Sequence, residues 1–306
     1  MSPHLSTSQK RIFFSQALLY WYNVHARDLP WRQTHDPYHI LVSELMLQQT
    51  QVDRVLLKYT QWFTQFPTIE TLAHSQARTV IAAWQGLGYN RRALYLHRIA
   101  QAVVQTYNGR FPQTKETLLP LPGIGPYTTG AIMSFAFCAD EPIVDTNVKR
   151  VVGRVFIGYK KLPQVKELQL WELVKLLLPK KGKTYYFNQA LMDFGSLVCT
   201  RAQPKCSACP LQNICKSYPA IQTAKKEDLR LPTVKETLYF KKPRRIWRGK
   251  ILQYLHTLHP HKATATEIGK AIQTDFALSR LPWLRSVLAT LKKDHLIKES
   301  NDLFHL

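Results

Sequence analysis

Hydrophobic residues recur at the spacing of an α-helix through most of the first 217 residues, without sustained alternation between apolar and polar positions. Thr50 and Asp53 have the spacing of a capping box that opens a helix at Val52. One apolar face near the N-terminus consists of Phe13, Ala17, Tyr20 and Val24. The pattern predicts a mainly α-helical body, with further helices near 38–46, 78–85, 91–107, 127–137, 146–156, 165–178 and 188–197.

Residues 218–245 interrupt this periodicity. Pro219, Pro232 and Pro243 exclude a long helix, and residues 225–250 contain ten Lys or Arg against three acidic residues. The stretch is interpreted as a basic linker, for which a solvated connection is as good an explanation as direct contact with DNA.

Helical periodicity returns in residues 246–306. A first stripe at 251–258, a second short helix from Thr266 and a third at 281–291 precede two candidate strands, Leu296-Ile297 and Leu303-Phe304, around Asn301-Asp302. Three helices followed by a hairpin indicate a small winged-helix-like α+β module. A packing or interaction domain that never touches DNA is the alternative.

The charge balance points to a polyanionic partner. The chain has 306 residues, of which 42 are Lys or Arg and 20 are Asp or Glu, for a formal charge of +22. This surplus favours nucleic acid first and an anionic membrane surface second. No apolar run approaches the ~20 residues of a membrane span, and the 45% apolar content excludes wholesale disorder.

Four of the five cysteines lie within 17 residues, which favours a metal site in a reducing compartment over a disulfide framework. They are Cys199, Cys206, Cys209 and Cys215. Zinc remains the alternative metal for this loop. Zinc ribbons, however, usually have two Cys-x2-Cys pairs, and this loop has one. The fifth, Cys138, is predicted to be a buried apolar residue of a helix.

A second motif, Leu121-Pro122-Gly123-Ile124-Gly125-Pro126-Tyr127, has the composition of a sharp turn between two helices. Its glycines, Gly123 and Gly125, free the backbone to turn, and Pro126 suits the first position of the next helix. The N–H groups at that helix start are expected to face outward, ready for a phosphate. Alone, the motif is equally typical of a plain helix-to-helix turn.

Two carboxyl groups are candidates for chemistry. Asp145 precedes the apolar positions of a helix and is predicted to cap it, with one oxygen lone pair left to face a cationic sugar. Glu44 shares a helix face with apolar residues, an environment that raises the pKa of a carboxyl and suits a general acid. A surface glutamate near a helix end is the plainer interpretation of Glu44.

In this order, the motifs resemble those of the adenine-specific mismatch DNA glycosylases (MutY-type) of the helix-hairpin-helix and endonuclease III superfamily. The resemblance covers residues 29–215 and includes Leu29-Pro30-Trp31-Arg32, Leu47-Gln48-Gln49-Thr50-Gln51 and Gly86-Leu87-Gly88-Tyr89. It implies a two-lobed glycosylase domain over 1–217, with a six-helix lobe near 31–136. The N-terminal helix and 137–217 would form an iron–sulfur lobe, whose four cysteines would hold a [4Fe–4S] cluster.

The resemblance also implies roles for individual residues. Glu44 corresponds to the acid that protonates adenine at N7, Asp145 to the carboxylate that stabilises an oxocarbenium-like sugar, and Asn147 to a neighbour that supports it. The extruded base requires residues that fill the stack. Gln49 and Tyr89 correspond to these residues, and Leu47 of the same motif is also expected to bind DNA. Arg27, Trp31 and Arg32 correspond to the rim of the adenine pocket.

Superfamily members that also nick the strand carry a Lys after the hairpin, where this chain has Tyr127. The expected activity is therefore that of a monofunctional glycosylase on double-stranded DNA with a mispaired base, leaving an abasic site. A thymine or uracil mismatch glycosylase on the same fold, or a non-catalytic iron–sulfur DNA-binding regulator, is the alternative. We further expect a cytoplasmic monomer of a short, actinobacterial-type form without the Nudix-like domain that reads 8-oxoguanine.

Overall fold

A computed structural model describes residues 6–225, 227, 229, 237–260 and 262–306. The chain folds into two compact units that each combine distant segments of the sequence. The first unit comprises 1–40, 113–120 and 124–233, and the second comprises 41–112, 121–123 and 234–306. Within the described residues, no helix is both long enough and apolar enough to cross a membrane.

The first unit is an all-helical layer around one apolar core. Two of its helices begin at clear sequence signals: Ser6 and Gln9 form a capping box before α1, and Pro126 occupies the first turn of α8. The helices of this unit are α1 (Thr7–His25), the start of α2 (Pro37–Leu47), α7 (Lys115–Leu118), α8 (Pro126–Phe135), α9 (Thr146–Val152), α10 (Glu167–Leu177) and α11 (Thr184–Leu197).

Helix α1 exists as predicted, but the apolar face expected for it was wrong. Tyr20 and Val24 are 76% and 70% exposed, whereas Phe14 and Leu18 are fully buried. Both sets have the i, i+4, i+7 spacing of one helix face, so periodicity alone did not distinguish them. The face of Phe14 contacts Phe187 of α11 edge to face, and this packing selects it for burial.

The second unit contains the remaining helices and both small sheets. Its helices are the end of α2, α3 (Val52–Gln65), α4 (Ile69–His74), α5 (Ala77–Ala83), α6 (Arg91–Tyr107), α12 (Arg244–Thr257), α13 (Ala265–Ile272) and α14 (Leu281–Lys293). Its strands are β1 (Leu238–Tyr239), β2 (Lys242–Pro243), β3 (Lys262–Thr264), β4 (Lys298–Ser300) and β5 (Leu303–His305).

The C-terminal module has the order α12, β3, α13, α14, β4, β5, with β5 central and antiparallel to both neighbours. This is the winged-helix topology that the sequence predicted, and the left-handed pair Asn301-Asp302 makes its tight turn. The strand expected at Leu296-Ile297 was wrong, because those residues are buried in the module core and β4 begins at Lys298.

The module and the helices that precede it in the second unit share one apolar core. Ile81 of α5 and Leu94 of α6 belong to the same buried cluster as Trp247 and Leu252 of α12. Trp247 also donates a hydrogen bond to the carbonyl of Tyr239 over 2.8 Å. Part of the predicted linker therefore packs with the module, since β1, β2 and the first two residues of α12 lie before 246.

Other boundaries also differ from the prediction. Residues 124–136, assigned above to the six-helix lobe, pack with the first unit. Linker residues 226, 228 and 230–236 lie outside the described residues. The capping box at Thr50 was wrong: Gln51 is the N-cap of α3 and makes no side-chain cap bond.

Cys138 was also predicted wrongly, because it is exposed. Helix α8 ends at Phe135, before reaching this cysteine. Cys138 then adopts a left-handed φ of 52°, in the turn that follows the helix.

Candidate active site and nucleic-acid interface

Glu44 lies on α2 with only 5% of its surface exposed, inside the second unit. Its neighbours along the helix, Leu41, Leu45 and Met46, are completely buried. The helix ends at Leu47 and delivers the chain into a turn that carries Gln49. A nearly buried acidic side chain thus lies one helical turn before an exposed turn.

Two exposed side chains leave the second unit from strained backbone. Gln49 has a φ of 56° and Tyr89 a φ of 48°, both in the left-handed region that residues other than glycine rarely adopt. Tyr89 is 43% exposed. Strain of this kind persists only where the surroundings enforce it, so the feature that holds both turns matters for the site.

Arg92 of α6 holds both turns. Its guanidinium donates to the carbonyls of Leu45 (2.6 Å) and Gly88 (3.0 Å), and to the Thr50 hydroxyl (3.1 Å). Further acceptors are the carbonyls of Met46, Gln48 and Leu87. Burial lowers the pKa of Arg92 to about 10, which leaves it charged at neutral pH.

The two glycines of the hairpin differ in backbone conformation and in the space beside them. Gly123 has a φ of 85°, and a Cβ there would lie 2.5 Å from Cγ of Tyr95. Gly125 has ordinary extended backbone, and nothing lies within 4 Å of where its Cβ would be. Only Gly123 is required by the turn, whereas Gly125 leaves the start of α8 bare. Tyr127, one residue into α8, contacts the sulfur of Met192 through its hydroxyl at 3.7 Å.

Asp145 is the N-cap of α9, as predicted. One carboxylate oxygen accepts from the Val148 N–H at 2.7 Å, and the other accepts from the Asn147 amide at 2.9 Å. Burial raises the pKa of Asp145 above its ordinary value, and these hydrogen bonds offset only part of the rise. The cap fixes the orientation of the carboxylate and stabilises its charged form.

A chain of polar contacts runs from Asp145 to the start of the cysteine loop. The Asn147 amide oxygen accepts from Arg150 at 2.7 Å, and Arg150 also donates to the carbonyls of Gly195 (2.6 Å) and Cys199 (2.7 Å). Asn147 can lie this close to α11 because position 195 is glycine; a Cβ there would be 2.6 Å from Cβ of Asn147.

The four clustered cysteines are free thiols at the surface of the first unit, each partly exposed. Burial raises the pKa of Cys209 to about 12, and the charges of its neighbouring cysteines act in the same direction. A hydrogen bond from the Leu211 N–H opposes this. Among the described residues, no three His, Cys, Asp or Glu side chains are arranged to hold one metal ion.

Arg27 and Arg32, predicted at the adenine rim, are engaged with a buried carboxylate. Asp193 of α11 accepts from the Arg27 Nε at 2.8 Å and from both terminal nitrogens of Arg32 at 2.8 and 2.9 Å. Burial would raise the pKa of Asp193, but these two arginines hold it below its ordinary value. Trp31, in the short 3-10 helix between them, is 7% exposed.

The predicted residues therefore divide between the units. Asp145, Asn147, Tyr127, Gly125 and the cysteines lie in the first unit with Arg27, Trp31 and Arg32, and the second unit holds Glu44, Leu47, Gln49, Tyr89 and Gly123.

Sequence reasoning missed Arg92, Arg150 and Asp193. Asp193 had a visible signal, a lone acid in the apolar stretch Leu191-Met192-Asp193-Phe194. Arg92 and Arg150 had none, because basic residues are common throughout this chain.

Comparison with known proteins identifies the family. Residues 42–176 match the model of the HhH-GPD superfamily base excision DNA repair proteins. The adenine DNA glycosylase of Buchnera aphidicola subsp. Schizaphis graminum is 31% identical over 299 residues, 95% of this chain and 83% of that protein. Its counterpart from Buchnera aphidicola subsp. Baizongia pistaciae is 40% identical over 208 residues, 68% of this chain but only 59% of that protein.

A solved structure described as a thermostable thymine-DNA glycosylase has the same architecture. It is similar with a TM-score of 0.66 and 34% sequence identity, over 70% of this chain and 99% of its own. The relatives therefore differ in the base that their names give, while they share the fold. This chain belongs to the HhH-GPD superfamily of base excision DNA repair proteins.

Proposed function

We propose that this protein is a monofunctional DNA glycosylase that hydrolyses adenine mispaired with 8-oxoguanine or guanine in double-stranded DNA and leaves an abasic site. The observation that carries the proposal is the buried carboxyl group of Glu44 on α2. It lies in a chain 31% identical to an adenine DNA glycosylase over 95% of its length. We further propose that it acts as a cytoplasmic, nucleoid-associated monomer.

Glu44 is proposed as the general acid. Protonation of adenine at N7 turns the base into a better leaving group, which requires a carboxylic acid that holds its proton near neutral pH. Glu44 is the acidic side chain of α2 and is only 5% exposed, which makes it the candidate for this role.

Asp145 is proposed to stabilise the positive charge that develops on the sugar as the base leaves. Its carboxylate is fixed in place by the N–H of Val148 and the amide of Asn147. A preorganised charge needs no reorganisation during the reaction, which is why a capped aspartate suits the task. Asn147 is proposed as a positioning residue, since it acts through Asp145.

The remaining predicted residues are proposed to bind and open the DNA. The start of α8, beside Gly125, suits a backbone phosphate, because N–H groups at a helix N-terminus point along the axis toward an anion. Gln49 and Tyr89 are proposed to fill the space that the extruded adenine leaves in the stack, because the bond to be cut is not reachable inside a duplex. Tyr127 supports base removal without strand cleavage, since it is not an amine nucleophile.

Cys199, Cys206, Cys209 and Cys215 are proposed to hold a [4Fe–4S] cluster. Four thiols in one loop fit such a group, and backbone N–H groups already donate to two of the sulfurs, those of Cys209 and Cys215. The four thiolates would hold the cluster and so tie together the loop, whose first residue, Cys199, accepts a hydrogen bond from Arg150 through its carbonyl.

The cluster is tested by iron and sulfide analysis of protein purified without oxygen. Wild type and the Cys138→Ser control should contain iron and acid-labile sulfide in equal amounts and show a broad visible absorbance, whereas Cys209→Ser should lose most of both. One zinc per chain without sulfide would contradict the assignment.

Removal of thymine or uracil mispaired with guanine is the second candidate. It is favoured by the 34% identity to the thermostable thymine-DNA glycosylase, which this chain covers over 99% of its length. The shape of the base pocket decides between the two, so both substrates belong in the same assay.

The deciding experiment measures base release under single-turnover conditions from duplexes with adenine opposite 8-oxoguanine, guanine or thymine, beside thymine or uracil opposite guanine. Strand breaks should appear only after alkali and only at adenine opposite 8-oxoguanine or guanine. Glu44→Gln should slow release at least ~100-fold, the lower range of a general-acid contribution. Glu116→Gln, an exposed glutamate of α7, is the matched control and should behave as wild type.

Each other outcome has a definite meaning. Release of thymine or uracil in place of adenine would move the activity to the second candidate. Strand breaks without alkali would contradict the monofunctional mechanism. Tight binding to all duplexes with no release from any of them would leave a non-catalytic DNA-binding protein.

A further inference from the structure

The second unit contains a cleft of about 430 Å³, and the arginines that line it have no role in the function proposed above. Residues from two distant parts of the sequence line it. They are Gln48, Gln49, Tyr89, Asn90, Arg91, Arg92 and Tyr95 from the glycosylase region, and Arg244, Arg245, Arg248 and Asp294 from the C-terminal module. Its size lies within the ~300–1,000 Å³ typical of ligand sites.

The cleft is strongly cationic. Among its described lining residues, five arginines stand against a single acid, Asp294. That acid is already engaged, by Arg248 at 2.5 Å and by Arg91 at 3.5 Å. Arg244 stacks on Tyr239 and donates to its hydroxyl at 2.8 Å, a neutral partner that leaves its charge uncompensated.

Apolar packing holds these like charges together. Arg244, Arg245 and Arg248 flank Trp247 in the sequence of α12, and Trp247 is 3% exposed in the core shared with Ile81 and Leu94. The module is thus docked by its hydrophobic side, and docking fixes the arginines along one wall of the cleft. Concentrated positive charge of this kind attracts a polyanion and repels other cations.

Residues of the two strained turns also line the cleft. Gln49 and Tyr89 border the same cleft as the module arginines. Under the function proposed above, these two side chains enter the DNA beside the base that loses its adenine partner. A phosphate next to that base on the same strand would then face the cleft that the α12 arginines line.

We infer that this cleft is a phosphate-binding site for the DNA strand opposite the excised adenine, with Arg244 and Arg245 as its main contacts. The inference rests on the proposed function for the choice of strand. It gives the C-terminal module a role through the first turn of α12. The exposed face of α14, the third helix of the winged helix, is not the proposed contact.

The test compares two double variants that each remove two positive charges from the module. Arg244→Ala/Arg245→Ala changes the cleft, and Arg285→Ala/Lys293→Ala changes exposed residues of α14 as a matched control. Affinity for a 5′-labelled duplex with adenine opposite 8-oxoguanine is measured by fluorescence anisotropy at several salt concentrations. The single variant Arg245→Ala, at an exposed position, tests the same cleft if the double variant does not fold.

The cleft variant should bind about tenfold more weakly, and the slope of log K against log salt should be shallower by about 1–2, as expected for one or two lost phosphate contacts. The control should match wild type in both. Base release at saturating enzyme should be unchanged in the α14 control, whose exposed residues lie outside the cleft.

Strand choice is tested with duplexes in which single phosphates are replaced by neutral methylphosphonates. Neutralisation near the orphaned base, on the strand opposite the adenine, should weaken wild type and leave Arg244→Ala/Arg245→Ala unaffected. Equal sensitivity of the two proteins, or loss of affinity only in the α14 variant, would overturn the inference. If wild type releases no base, the proposed function fails independently, since the binding measurements need no catalysis.

Discussion

At the scale of single residues, the Arg92 guanidinium donates hydrogen bonds to several separate backbone segments. It is 6% exposed and donates to the end of α2 and to both strained turns. Its cation also lies over the rings of Trp84 and Tyr89, at 5.3 and 5.5 Å from their centres. One buried guanidinium thus keeps Gln49 and Tyr89 in conformations that their own backbones disfavour.

Replacing Arg92 by Ala should therefore lower the free energy of unfolding by about 2–4 kcal/mol, because several buried carbonyl groups lose their donor at once. Urea unfolding followed by circular dichroism measures this loss. Arg98→Ala, exposed on the same helix, is the control and should change it by about 0.5 kcal/mol or less. An equal loss in both variants would show that Arg92 has no special positioning role.

Asn147 offers a residue-scale test of the proposed chemistry. Its amide lowers the pKa of Asp145, so Asn147→Ala should raise that pKa further above the ordinary aspartate value. Base release needs the charged carboxylate, which is lost as pH falls through its pKa. The acidic limb of the pH–rate profile should therefore move to higher pH, as single-turnover rates across the acidic range would reveal.

The exposed neighbour Thr146 provides the comparison, and Thr146→Ala should keep the wild-type pH profile. A uniform fall in rate at every pH for Asn147→Ala would instead indicate a structural role alone.

At the scale of elements, the hairpin before α8 contains one glycine that the turn requires and, two residues later, one that the turn does not require. Gly123 meets a steric requirement of the turn, whereas Gly125 lies in extended backbone with open space beside it. The sequence predicted the same role in the turn for both glycines, because composition does not reveal which position has a positive φ.

Gly123→Ala should destabilise the protein by about 1–3 kcal/mol, because it combines an unfavourable φ with a clash against Tyr95. Gly125→Ala should leave thermal unfolding nearly unchanged but weaken duplex binding, since the new methyl group would occupy the open space proposed for a phosphate. Differential scanning fluorimetry and anisotropy separate the two effects. Similar melting temperatures for both variants would refute the distinction.

The elements themselves were largely predictable from sequence. Helix positions followed from apolar spacing, and the cap at Asp145 followed from its place before Val148 and Val151. The errors came from long-range packing. Which face of α1 is buried depends on α11, and Thr50 faces Arg92 rather than its own helix, so neither could be derived locally.

At the scale of the whole molecule, the sequence supplied the winged-helix module and the large positive charge but not the relation between them. The core that joins α12 to α5 and α6 pairs residues about 160 positions apart, such as Ile81 and Trp247. Nothing in either segment specifies the other as its partner. The cationic cleft, which depends on that packing, was therefore visible only in the structure.

The interleaving of the two units has a consequence for synthesis on the ribosome. Phe14 and Leu18 of α1 are buried beside Phe187 and Phe194, which emerge about 170 residues later. At ~5–20 residues per second, the apolar side of α1 waits roughly 10–30 s for its partners. Neither unit can complete its core in the order of translation, so the nascent chain exposes hydrophobic surface throughout that interval and becomes a natural client for chaperones.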